Sequence, residues 1–363
     1  MEERNDMKAA SVESNDSTRS IAFKVEAIRH EIKKAGEDIR LRFPLLRHKN
    51  AIAVLILAIS LMGMLLTSWL YVQDVITAWV AIPVIALLTS LLHELEHDLI
   101  HWMYFSKKPW AHHLMMALVF VAKPTATCSW LRREAHLDHH RWSGTEKDIE
   151  ELTISNGQRW GILRFLMIVD TPISITVNTL QQKTWKDRIS HLRVAGALFP
   201  LGIISWGLWY VFLFFHAVNG IFSLMGVEPI YWSSGMLNFI SYLNIMIVVL
   251  IAPNIFRMFC LHLISSNMHY HGDVQKNNII QQAQVLNPWW LLPFNLFCFN
   301  FGSTHAIHHF VVKEPFWIRQ MTVKKAHRVM REHGVRFNDF GSFRRANRWG
   351  SQLVSESLGP VDR

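Results

Sequence analysis

Lysine and arginine are absent from residues 51–100 and again from residues 194–256, although the chain of 363 residues holds 37 of them. Stretches of that length without one basic residue exclude an ordinary water-facing surface. Cysteine is also scarce: Cys128, Cys260 and Cys298 show neither pairing nor metal spacing. That excludes a disulfide framework and a thiolate metal site, and reads as reduced thiols facing a cytoplasm. The first twenty residues lack an apolar core, which excludes a signal peptide and predicts a disordered tail. There is no basic stripe interleaved with aromatic platforms and no nucleic-acid motif, so the net charge of +9 does not point to nucleic acid. It reads as a topology signal and as attraction to the anionic headgroups of membrane lipids.

What is present is hydrocarbon. Four runs, at residues 51–71, 76–92, 194–215 and 236–256, are long and uncharged enough to cross a bilayer core of roughly 30 Å, which takes about 17–25 helical residues. The predicted fold is an all-α integral membrane protein, with four transmembrane helices in two hairpins under a cytoplasmic helical cap. Basic residues fall into three segments, before 51, between 107 and 193, and from 257 onward. Two hairpins put all three on one side, and positive charge marks that side as cytoplasmic. Both termini and the central loop are therefore expected in the cytoplasm.

Residues 21–50 alternate apolar and charged positions (Ile21, Val25, Ile28, Ile32) and predict an interfacial helix. Residues 51–350 form the main domain, and 351–363 a C-terminal tail. The segment NPWWLLPFNLFCFNFG, residues 287–302, suits a membrane-interface belt or a channel wall.

The 20 histidines are clustered. His93, Glu94, Leu95, Glu96, His97 and His101 follow the second run. His136, His139 and His140 make one HxxHH cluster, and His305, His308 and His309 make another. His269 and His271 lie between them. Residues three or four apart share a helical face, so His93 and His97 can reach one metal or a close pair. His101 sits about 80° round from His93 and is expected off that face. His30, His48, His191, His216, His327 and His333 are expected to take no part. By the topology, all three clusters meet on the cytoplasmic side, where they predict one shared metal site. Imidazole suits several metals, but a mononuclear zinc centre needs only three or four ligands. So many histidines would saturate two metals while leaving room for O2, which best suits two irons.

At these residues the sequence resembles the membrane-bound fatty acid desaturase and hydroxylase superfamily, with its HxxxH-type first box and two HxxHH boxes around two transmembrane hairpins. The segment HLDHHRWSGTEKD, residues 136–148, is the most specific match. The resemblance runs from about residue 50 to 315. It implies iron ligands at His93, His97, His136, His139, His140, His305, His308 and His309. It implies one more from SSNMHYHGD, where His269 and His271 both fit and His269 is favoured. Glu94, Glu96, Asp138 and Asp148 are candidates to orient the ligating rings. The resemblance also implies two iron ions cycling between Fe2+ and Fe3+, O2 as co-substrate, and a fatty acid or fatty acyl substrate. Desaturase-like C–H abstraction is the first expectation, with hydroxylation or oxidative decarboxylation as alternatives. SSNMHYHGD and the segment at 287–302 look closer to a bacterial subgroup containing the membrane decarboxylase that makes terminal alkenes from free fatty acids. No redox module is fused to the chain, so a ferredoxin, rubredoxin or cytochrome type donor with its reductase is expected. The basic residues Lys107, Lys108, Arg132, Arg133, Lys324 and Lys325 are the expected docking face.

Two other classes compete. HELEH fits HExxH, the zinc-protease motif with Glu94 as general base, but leaves both HxxHH clusters without a role. A metal transporter would place its ligands near the bilayer midplane, whereas these follow the spans.

Overall fold

A computed structural model describes residues 2–350 except 146, 155, 156 and 229, with side chains also left undescribed at 2–18, 149 and 152. The expected tail at 351–363 lies outside the described residues. Among those described, the fold is helical without strands, apart from two isolated bridges, His269 with Ala283 and Val285 with Phe337.

Four helices are long and apolar enough to cross a membrane: Lys49–Val72, Ala78–Ile100, Pro200–Leu224 and Ser234–Met268. In chain order the elements are α1 (Glu2–Arg42), α2 (Lys49–Val72), α3 (Ala78–Ile100), α4 (Pro109–Ala122), α5 (Ser129–Trp142), α6 (Ile149–Thr153), α7 (Ile162–Val169) and α8 (Thr171–Leu180). There follow α9 (Trp185–Leu198), α10 (Pro200–Leu224), α11 (Ser234–Met246) and α12 (Ala252–Met268). The last are α13 (Leu292–Leu296), α14 (Phe301–Phe310), α15 (Phe316–Glu332) and α16 (Gly341–Arg344). A π-helical stretch, Ile247–Ile251, joins α11 to α12 and makes the fourth span continuous.

Two boundaries differ from expectation. The third span begins at Pro200, not 194, because Phe199 ends α9 and Pro200 opens a new helix where its missing N–H costs nothing. The fourth runs past residue 256 to Met268 and so carries Arg257 and His262 inside the helix.

Within the first hairpin, Ala53, Leu57 and Met64 of α2 pack on Ile85 and Leu92 of α3. Phe215 of α10 packs on Ile240 and Leu243 of α11. Leu55, Ile59, Ile203, Ile204 and Phe214 face outward, an apolar surface too extensive for a soluble protein. Trp289 and Leu292 of the 287–302 segment are exposed as well, while Phe301 is buried.

Helix α1 covers both the polar N-terminal stretch and the start of the expected interfacial helix. It stops at Arg42, before Pro44. Its stripe does not lie on a membrane surface. Val25, Ile28 and Ile32 are buried against Ala326, Val329 and Met330 of α15. Burial of three such side chains stabilises by about 1.5–3 kcal/mol each, which fixes α15 over the end of α3. Asp98 locks the same corner: it accepts from Tyr104 Oη at 2.6 Å, Phe316 N at 2.9 Å and Arg319 Nη2 at 2.9 Å.

Candidate metal centre

Helices α3, α5, α12 and α14 converge where their histidines end. Two groups of four buried imidazoles form there. In each group, one ring nitrogen per residue lies within 4.8 Å of the others. The first comprises His97, His101, His136 and His308; the second comprises His139, His269, His305 and His309. His140 stands between them, with Nε2 2.9 Å from His308 Nε2 and 3.2 Å from His136 Nε2. His305 and His309 also bring their Nε2 atoms to 3.2 Å. Adjacent ligands on an ion with bonds of about 2.0–2.1 Å at right angles lie about 3 Å apart, so these spacings match a shared ion.

The donor chemistry fits a metal in a second way. Nε2 of His101 and His269 and both ring nitrogens of His97 are buried without a hydrogen-bond partner, so each of the three has a nitrogen free to take an ion. Such orphaned atoms are costly unless something else takes their lone pairs. Burial holds the rings neutral, as metal binding requires. It lowers His101 to about 2, with His136 and Arg319 adding to it, and His269 to about 4, with His139 adding. His136, His140, His305, His308 and His309 are held well below the ordinary value by burial and then by neighbouring imidazoles.

A layer of carboxylates and amides turns the rings. His139 Nδ1 meets Asp148 Oδ2 at 2.8 Å, His136 Nδ1 meets Glu150 Oε2 at 3.0 Å, and His309 Nδ1 meets Gln282 Oε1 at 2.9 Å. Glu151 Oε1 lies 3.1 Å from His269 Nδ1 and 3.8 Å from His139 Nδ1. Holding Nδ1–H leaves Nε2 bare for an ion. His139 is the exception in charge. Burial opposes its proton, but Asp148, Glu150 and Glu151 outweigh burial and raise it to about 10, so loading a metal there releases a proton.

Several expected assignments change. His93 joins neither group; the Arg132 guanidinium lies against its ring, 3.5 Å from Nδ1 and 3.4 Å from Nε2. His101 takes the place expected for it. Helix α3 ends at Ile100 and His101 is its C-cap, so a wheel measured from His93 no longer sets its direction, while His97 lies one turn below. His269 falls in the second group and His271 in neither. Asp138 is exposed and pairs with Arg141 at 3.0 Å. Glu94 faces Arg319 at 3.4 Å, and Glu96 is bonded by Lys123, Ser129 and Arg132, so neither touches a grouped imidazole. The HExxH reading needs His93 and His97 on one ion, and the two do not share a group. Glu150, Glu151 and Gln282 were not anticipated.

A cavity of about 240 Å³ opens beside the second group. His97, His136, His139, His269 and His305 form one wall; Met167, Ile175, Val194, Leu198, Phe199 and Leu261 form an apolar one. His191, expected to take no part in holding metal, lies in neither group but lines the cavity, with Nδ1 2.7 Å from Thr179 Oγ1. Of the basic residues expected to form a docking face, Lys107, Lys108, Lys324 and Lys325 are exposed. Arg133 is taken up by the carbonyls of Leu99 and Ile100, and Arg132 by Glu96.

The family model described as fatty acid desaturase matches residues 74–341. No curated protein matches the chain.

Proposed function

Since the chain belongs to the fatty acid desaturase family, we propose that it is a membrane-bound, O2-dependent oxidase of fatty acyl chains that holds two iron ions. The observation that carries this is the pair of buried four-histidine groups. In this reading His97, His101, His136 and His308 hold one ion with His140 beside them. His139, His269, His305 and His309 hold the other. When bound, the irons supply the reduction of O2 and the oxidising power for a C–H bond. The protein's part is orientation and dryness. Asp148, Glu150, Glu151 and Gln282 fix the rings, and the apolar wall excludes water and positions one segment of the chain. Desaturation is the first expected outcome, with hydroxylation or loss of CO2 from a free acid as the alternative fates. Electrons come from a separate ferredoxin, rubredoxin or cytochrome type donor and its reductase.

Purified protein should contain about two irons per chain and oxidise fatty substrates only when O2 and such a donor system are both supplied. Mass spectrometry of the products identifies the reaction. Multiple turnover without any donor, or stoichiometric zinc, would overturn the reading.

The site is proposed to face the cytoplasm, because the Lys/Arg-free turns lie opposite it. Reporter fusions after Glu150 and at the C-terminus should read cytoplasmic, and one in the turn at residues 225–233 extracytoplasmic. A cytoplasmic signal from that turn contradicts the topology.

A further inference from the structure

Arg257 lies within the fourth span and is 1% exposed. Its Nε and Nη1 are buried with no hydrogen-bond partner, and among the described residues no carboxylate comes within 4.0 Å of it, Glu96 acting on it only from farther off. An unpaired guanidinium in such a place is expensive, and an intramembrane charge without a partner points to function. Arg257 lines the cavity together with Arg132, His93 and His262. Lys123 adjoins them. Glu96 is the carboxylate bonded at this end among the described residues, and it already accepts from Lys123, Ser129 and Arg132. Three basic side chains thus share one acid, and the one left over faces the cavity.

The position of this basic end is set by the helices. His93 precedes His97 by one turn on α3, and Arg132 precedes His136 by one turn on α5, a rise of about 6 Å in each case. The side formed by Met167, Ile175, Val194, Leu198 and Phe199 is largely hydrocarbon, interrupted by Ser174, Asn178 and His191, while Glu150 and Glu151 line the cavity beside the histidines. The cavity is therefore polarised, with a cationic end one helical turn from the histidine groups and an apolar side toward α7, α8 and α9.

We infer that Arg257, with Arg132 beside it, anchors the carboxylate of a free fatty acid, which binds with its head inward and its tail along the apolar wall. A guanidinium offers a fork of donors that matches a carboxylate and stays charged when buried. The carbonyl of a thioester or glycerolipid can accept a hydrogen bond but brings neither the charge nor the paired oxygens that match Arg257. The carbons presented to the histidine groups are then those next to the carboxylate. This rests on the proposed function for its chemistry, but the binding itself does not require turnover.

The test is equilibrium binding to the purified full-length protein in lipid nanodiscs, without reductant, with iron content measured on the same samples. The probes are hexadecanoic acid, its methyl ester and hexadecan-1-ol. Hydrogen bonds to a charged group correspond to roughly a 10- to 100-fold difference in affinity, so the acid should bind at least about 10-fold tighter than the ester or the alcohol. In Arg257→Met the acid should fall to the level of the ester while the ester is unchanged, and Arg257→Lys should keep part of the preference. If Arg257→Met does not yield folded protein, the wild-type ratio and the lysine variant decide the question. Equal binding of acid and ester by wild type, or an equal loss of both in Arg257→Met, overturns the anchor. Acid preference in a protein that lacks iron would support the anchor while sinking the di-iron reading.

Discussion

His101→Ala should strip the protein of iron and lower its oxidation rate by more than about 100-fold, whereas His93→Ala should keep both ions. The floor comes from the partners of metal ligands, whose loss alone costs 10–100-fold; removal of a ligand costs more. His101 supplies a buried ring nitrogen within the first group, and the imidazole nearest to replace it, His140, is already in contact with His136 and His308. His97→Ala, His139→Ala and His308→Ala should behave like His101→Ala. His93 is outside both groups and against Arg132, so its loss changes the cavity end and not the metal count. Iron per chain, measured alongside turnover, separates the two. A zinc peptidase built on HELEH predicts a different pattern, with His93, Glu94 and His97 essential, at most one residue of the later clusters essential, and zinc retained. Full iron in His101→Ala would sink the two-group assignment.

The second large effect comes from one methyl group. Alanine normally stabilises a helix relative to glycine by about 1 kcal/mol, yet Gly302→Ala in α14 should do the opposite. A Cβ there would lie 2.2 Å from the backbone oxygen of Leu286 and 2.7 Å from Asn295 Oδ1. Neither atom can swing aside. Leu286 N donates to Gly302 O at 2.9 Å, and Gly302 N donates to Asn295 Oδ1 at 3.0 Å, so the two segments are tied at the point of contact. Restoring ordinary contact moves α14 by about 1 Å, and overpacking of this kind costs about 1–3 kcal/mol or more. The next residues on that helix are His305, His308 and His309. A misplacement of about 1 Å is enough for a loss near 100-fold. Gly302→Ala should therefore show a lower Tm, less than two irons per chain and activity reduced by about two orders of magnitude. A variant as stable and as iron-rich as wild type would show that α14 has slack which the packing denies.

The membrane architecture was legible because it is written in composition. The absence of Lys and Arg from two long stretches marks the spans whatever the details of packing, and Pro200 was available to place the third start correctly. The HxxHH clusters were legible because their spacing is local and helical. His101 falls in the first group, where a helical wheel drawn from His93 does not place it, for an instructive reason. It was measured against His93, eight residues away, when the relevant neighbour was His97, four residues away and at the end of the helix. Glu150, Glu151 and Gln282 could not be singled out, since their distance from the histidines along the chain says nothing of their approach through space. Arg257 reads in sequence as the first residue beyond a span. Only the continuation of α12 to Met268 turns it into a buried charge.

The π-helical stretch at Ile247–Ile251 gives the fourth span a spare residue. A π turn holds one residue more than the α turn it replaces, so losing one there closes the turn and leaves the flanking helices in register. Arg257, Leu261, Ser265 and His269 recur every fourth residue beyond it and all line the cavity. Shortening the helix among those four would rotate everything downstream by about 100° and aim His269 away from its partners. The same shortening at Ile247–Ile251 would leave that face where it is. The chain can thus absorb a length change in this span at one place, upstream of the residues whose direction matters, and the joint between α11 and α12 works as a buffer for insertion and deletion.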